Sequence, residues 1–171
     1  MPMAAVKVRT TMKWVQEALW EQFMRDEIAY IKQTVTSWPG MKANPHRFGG
    51  TEFNLGKVEI GHIHATGMVD IPFNSKIRAQ LLAEKRAEPH HLLPETGWIT
   101  FYIRAGADTE RAIWLFRLSY LFYASRSSSR VLVGELDIRA AVDALNLSET
   151  MRTVFMEVSG LRHNSEPDEE G

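Results

Sequence analysis

The hydrophobic period of this chain changes at Trp38-Pro39-Gly40, and that change limits the folds open to it. Before it, Val15, Leu19, Phe23 and Ile31 recur near helical spacing, with Trp14, Trp20 and Ile28 widening the stripe. This predicts a helix from about Thr11 to Val35. The position before a proline disfavours helix and glycine permits a sharp turn, so the helix stops there. Beyond it, strand alternation takes over. Val58, Ile60, His62 and His64 are expected on one face of a strand running to Ala65, and Glu59, Gly61, Ile63 and Ala65 on the other. Trp98 to Arg104 alternates in the same way, Ile99, Phe101 and Ile103 against Trp98 and Tyr102.

The remaining signals place helices between and after these strands. Asn74 or Ser75 caps a helix to about Ala87, and Pro89 to Pro94 reads as a loop. Asp108 caps an apolar, central helix ending near Ala124, and Val131 to Val133 reads as a short strand. Two modest helices follow, over Glu135–Leu145 and Ser148–Val158. The order implies an α+β fold: a small antiparallel or mixed sheet packed with helices, plus an N-terminal helix and a helical C-terminal extension. The expected divisions are a helical segment (1–36), a core (37–125), an extension (126–162) and an acidic, disordered tail (163–171).

Charge and composition remove several functions. A formal net charge of −1 gives no basic field to attract nucleic acid or an anionic membrane. The chain has 0 cysteines, which excludes disulfides, thiolate nucleophiles and Cys-based metal sites. Met1 to Thr11 lacks the apolar run of a secretory signal. The most apolar segment, Ala112 to Ala124, is interrupted by Arg117 and is too short to span a bilayer. A cytoplasmic protein with a small-molecule ligand, and neither nucleic acid nor membrane as partner, is the expectation.

The chemistry is concentrated in histidine. His62, His64, His90 and His91 are four of the 6 histidines and lie within one short stretch. Side chains two apart on a strand point the same way, about 6.6 Å apart, so His62 and His64 could converge on one ligand or one metal ion. A metal would need a third ligand, from His90, His91, His46, Glu59 or Asp70. The structural alternative is a pair of hydrogen-bonded imidazoles. The Pro89-His90-His91 loop and the Pro45-His46-Arg47-Phe48-Gly49-Gly50 turn present further polar groups, and Arg47 could clamp an anion. Trp98 could wall a pocket, although core packing is the commoner role of such a residue. No Gly-x-Ser-x-Gly elbow, phosphate loop or dinucleotide fingerprint is present.

In their order, Trp38-Pro39-Gly40, the segment from Pro45 to Phe53, Leu55-Gly56, Glu59-Ile60-Gly61-His62-Ile63-His64, Asp70-Ile71-Pro72-Phe73, Pro89-His90-His91-Leu92-Leu93-Pro94 and Gly97-Trp98 resemble the small bacterial luciferase-domain proteins. The resemblance runs from Trp38 to about Ala124, so it covers the expected core. The segment Glu59 to His64 is also similar to a Glu-Ile-Ala-His-Met-His segment of fungal luciferases, which oxidise a hydroxylated pyrone with molecular oxygen and need no metal or flavin. The resemblance implies a luciferase-like oxidoreductase acting without a cofactor on an aromatic or pyrone-like small molecule. His62 or His64 would act as base, His90 or His91 would orient an oxyanion, and Arg47 would stabilise its charge. His46, Asp70 and Trp98 are expected to help bind the substrate. The competing readings are a metal-dependent enzyme using His62 and His64, and a non-catalytic module engaging a partner through its helices.

Overall fold

The computed structural model describes residues 3–161, so the expected tail lies outside the described residues. The first element, α1 (Met3–Thr36), is longer than the periodicity suggested, at about 51 Å by helical rise. Its apolar stripe is only half used. Met24, Ile31 and Val35 are buried, but Trp14, Val15, Leu19 and Trp20 are exposed. The physical reason is length: Met24 touches the turn at Gly67, at one end of the sheet, and α1 continues past it.

Six strands follow in one sheet: β1 (Met41–Pro45), β2 (Thr51–Leu55), β3 (Val58–Ile63), β4 (Met68–Pro72), β5 (Glu88–Pro89) and β6 (Trp98–Tyr102). Their spatial order is β1-β2-β3-β4-β6-β5, and every neighbouring pair is antiparallel. Helix α2 (Ser75–Ala83) lies between β4 and β5 in sequence, capped by the Asn74 side chain. Helix α3 (Gly106–Ala124) begins just ahead of Asp108, whose carboxylate accepts hydrogen bonds from the Arg104 and Ala105 backbone amides. The C-terminal part holds α4 (Ser127–Arg130), α5 (Ile138–Asp143) and α6 (Glu149–Ser159). Val131–Val133 is a 3₁₀ turn rather than a strand. With a helix immediately before it and Gly134 at positive φ after it, the chain turns there instead of extending.

Helices α1 and α3 cover one face of the sheet. Phe53, Ile63, Val69, Ile71 and Ile99 point into that layer and meet Leu115, Phe116, Leu118 and Leu121 of α3. The Phe53 and Phe116 rings pack edge-on at 5.0 Å. Fully burying each such side chain stabilises the fold by roughly 1.5–3 kcal/mol, and this layer is the centre of the core. No helix among the described residues is long and apolar enough to cross a membrane.

The other face is polar, and its register explains the site. Asn44, Glu52, His62, Asp70, Thr100 and Glu88 pair in one transverse row across all six strands. Strict alternation, as read from the sequence, put Ile60 on the same face as His62. The structure corrects this. The β2–β3 register shifts between Phe53/Gly61 and Asn54/Glu59, leaving Ile60 as an extra residue in a bulge. Ile60 is therefore buried in the core, and its carbonyl accepts a 2.8 Å bond from Ser119 Oγ of α3. Glu59 and His62 end on the same, polar face. Gly61 makes this close packing possible: a Cβ there would sit 2.9 Å from both the Asp70 carbonyl oxygen and the Phe116 ring.

Candidate functional site

Four histidines gather around one aspartate on the polar face, and a fifth stacks on one of them. Asp70, in the middle of β4, is fully buried. Its Oδ2 lies 3.4 Å from His62 Nε2 and 3.5 Å from His64 Nε2. Its Oδ1 lies 3.7 Å from His90 Nε2 and 3.8 Å from His91 Nδ1, and accepts a hydrogen bond from the Thr100 hydroxyl. His46 stacks flat on His62, with ring centroids 3.8 Å apart and planes 14° from parallel.

Each side chain is held by its local backbone. His46 opens the β1–β2 turn, closed by the Gly49 amide donating to the His46 carbonyl at 2.9 Å. Gly50 at φ +87° permits this: a Cβ there would fall 2.2 Å from the Ile63 carbonyl oxygen. His64 follows β3 directly, its amide donating to the Met68 carbonyl at 2.8 Å. His90 and His91 follow the two-residue edge strand β5. The His90 Nδ1 accepts hydrogen bonds from the Leu92 and Leu93 amides, 3.1 Å each, which pins the loop. Trp98 sits beside the cluster, 5.6 Å from His62 and 5.9 Å from His90 between ring centroids.

Of the residues singled out from sequence, His46, His62, His64, Asp70, His90, His91 and Trp98 are thus brought together. Arg47 is exposed, with its guanidinium 4.7 Å over the Phe48 ring. The sequence reading missed Thr100 and put Glu59 on the opposite face. Thr100 was findable, since alternation places it with Trp98. Glu59 was not, because the bulge at Ile60 has no periodic signature beyond the glycine that follows. Glu59 Oε1 is 2.6 Å from His62 Nδ1.

The electrostatics divide the imidazoles. Burial opposes protonation of His62, but its hydrogen bonds to Asp70 and Glu59 prevail and hold its pKa up at about 9. Burial and the neighbouring His62 charge push His64 down. Burial also pushes His90 down, helped by His91 and His62. Asp70 is pushed up by burial, yet the hydrogen bonds from His62 and Thr100 win and keep its carboxyl below the usual value. At neutral pH the cluster therefore holds a carboxylate at Asp70, an imidazolium at His62, and neutral His64 and His90.

The family model of the Luciferase domain matches residues 57–119. The chain thus carries a luciferase domain over these residues. The matched stretch contains Asp70 and four of the clustered histidines, His62, His64, His90 and His91, together with Glu59, Trp98 and Thr100. His46, on the turn before β2, lies outside it. No curated protein and no solved structure matches the chain. Within the luciferase domain, the cluster is where titratable groups converge. A cleft of about 650 Å³ beside α5 and α6, and one of about 850 Å³ over Phe101 and Trp114, are lined by none of its residues.

Proposed function

We propose that the luciferase domain binds a small acidic organic molecule, an enol or a phenol, over Asp70 and oxidises it with dioxygen. One observation carries this reading: four imidazoles, all inside the matched domain, converge on a single buried carboxylate. Such a molecule reacts with dioxygen only after losing a proton, so the site needs a base beside a positive region that holds the anion.

The geometry favours a division of labour opposite to the one the resemblance implied. His91 is the more accessible of the two loop histidines, its side chain 33% exposed against 8% for His90. It is the base, taking the substrate proton. The trio of His46, His62 and His64 is the anion-holding side, because His62 carries the imidazolium charge and the other two rings lie against it. Attack of the substrate anion on dioxygen forms a carbon–oxygen bond and leaves a peroxide anion. That anion recovers the proton from His91, so the product is the hydroperoxide and the electrons balance. Trp98 shields the reacting atoms from water.

The test is a screen of hydroxypyrones and catechols, following ionised-ligand absorbance and oxygen uptake. The expected result is oxygen uptake that His91→Gln reduces by about 10²–10⁴-fold, the usual worth of a general base. Ligand ionisation without uptake would make this a binding module. Neither signal with any acidic ligand would overturn the reading.

A further inference from the structure

The arrangement of hydrogen atoms around Asp70 carries a conclusion that goes beyond the small-molecule reading and does not depend on it. Asp70 is fully buried, and its two oxygens are treated differently. Oδ1 accepts from Thr100, whereas Oδ2 has no hydrogen-bond partner. A buried carboxylate oxygen without a hydrogen bond is expensive, and here the protonated His62 ring 3.4 Å away offsets that cost. A metal ion in place of the proton would do the same, which marks Oδ2 as a place for a cation.

The surrounding nitrogens fit that cation. His62 Nε2 and His64 Nε2 stand 3.4 and 3.5 Å from Oδ2. Ligands bound at about 2.0–2.1 Å in a tetrahedral site are about 3.3–3.4 Å apart along each edge. Ligand nitrogens of His46, His62 and His64 all lie within 4.8 Å of one another.

Tautomers decide which imidazoles can ligate. The His46 Nδ1 faces the Gly49 carbonyl at 3.3 Å, and the His62 Nδ1 faces the Glu59 carboxylate at 2.6 Å. Both partners only accept, so each Nδ1 carries the hydrogen and the neutral ring keeps its Nε2 lone pair free. A carboxylate behind a histidine, as Glu59 stands behind His62, is the support that metal-bound histidines ordinarily have. His90 is the reverse case. Its Nδ1 accepts from two backbone amides, so its hydrogen is on Nε2, aimed at Asp70 Oδ1. His90 therefore cannot ligate through the nitrogen that faces Asp70. This rules out the alternative set of Asp70, His90 and His91, although their ligand atoms are equally close together.

We infer that His46, His62, His64 and Asp70 Oδ2 form a mononuclear site for a first-row divalent transition-metal ion, with Glu59, Thr100 and His90 as positioning residues. Three imidazoles and one carboxylate suit manganese to zinc and disfavour calcium or magnesium. In the metal-free chain His46 lies flat on His62, so its ring must tilt about the Cβ–Cγ bond to share the ion. The ion would then replace the proton that His62 holds between two carboxylates.

Chelator-stripped, tag-free protein titrated with cobalt(II), read by visible absorption and by calorimetry, tests this without any substrate. The expected result is one cobalt per chain, with the strong visible bands of a low-coordinate nitrogen–oxygen site. His64→Ala, at a half-buried position, lowers affinity by at least tenfold. Glu59→Gln lowers it by about 10–100-fold. His90→Gln keeps a stoichiometry of one. Far-UV circular dichroism of each variant separates lost ligation from lost fold. No binding, two ions per chain, or binding that survives His64→Ala but disappears in a folded His90→Gln would each overturn the assignment. The two readings share His46, His62, His64 and Asp70, but cobalt stoichiometry reads the metal site and oxygen uptake reads the small-molecule reaction, so the failure of one is distinguishable from the failure of the other.

Discussion

The proton on His62 makes the stability of the metal-free fold depend on pH in a narrow and unusual window. Its pKa rises from 6.5 to about 9 on folding. A raised histidine stabilises the fold fully below the unfolded value, and that contribution is lost as pH rises through the folded value. The window is therefore pH 6.5 to 9. At 1.36 kcal/mol per unit, the whole contribution is about 3 kcal/mol, with a slope approaching about 1 kcal/mol per pH unit near pH 8. His62 is only 8% exposed at its side chain, so solvent screening removes little of it. His64 and His90 shift the other way, and their contributions change only below 6.5, outside the window. The assay is urea unfolding of chelator-treated protein at half-unit steps from pH 6 to 9.5. The midpoint should fall across the window at constant m-value, and His62→Gln should flatten that fall. A flat wild-type profile, or a slope unchanged in His62→Gln, would refute the argument that Glu59 and Asp70 hold a proton on this ring.

Two further changes probe how the site is held. Gly50→Ala forces a Cβ against the Ile63 carbonyl and a side chain into positive φ, so it should cost about 2 kcal/mol or more in urea unfolding and displace His46 from the His62 ring in NMR spectra. Thr100→Val removes the hydroxyl donor to Asp70 Oδ1. Because a depressed carboxyl stabilises above its unfolded pKa and loses that contribution as pH falls, the variant should unfold in acid at a higher pH than wild type.

Much of this molecule was legible in its residues, for reasons that particular elements make plain. The α+β layering followed from a helical stripe giving way to alternation, and the apolar run from Ala112 to Ala124 was correctly central because little else could bury it. Asp108 and Ser148 sit at helix starts, as their side chains' preference for backbone amides requires. Strand β1 was invisible. Met41-Lys42-Ala43-Asn44-Pro45 has almost no strand-forming character, and it is extended only because the turn at Gly49-Gly50 folds it onto β2. The strand alternation in β3 failed at one residue, and that single bulge moved Glu59 from one side of the sheet to the other. The convergence of the loop histidines on Asp70 depends on β6 lying beside β4, a pairing between segments far apart in sequence that no local pattern records.

The transverse row that builds the site also makes its parts unequally durable. His62 and Asp70 lie on strands flanked on both sides, within the sheet's interior. The His90–His91 loop is tied down by β5, a two-residue edge strand paired on one side only. Fraying of those two residues would free the loop while the inner histidines stay in register. Hydrogen exchange would then divide the cluster in two, a slow half that persists until the sheet itself opens and a fast half that comes and goes with one short edge. Access to the buried carboxylate would then follow the lifetime of that edge strand, without the domain having to unfold.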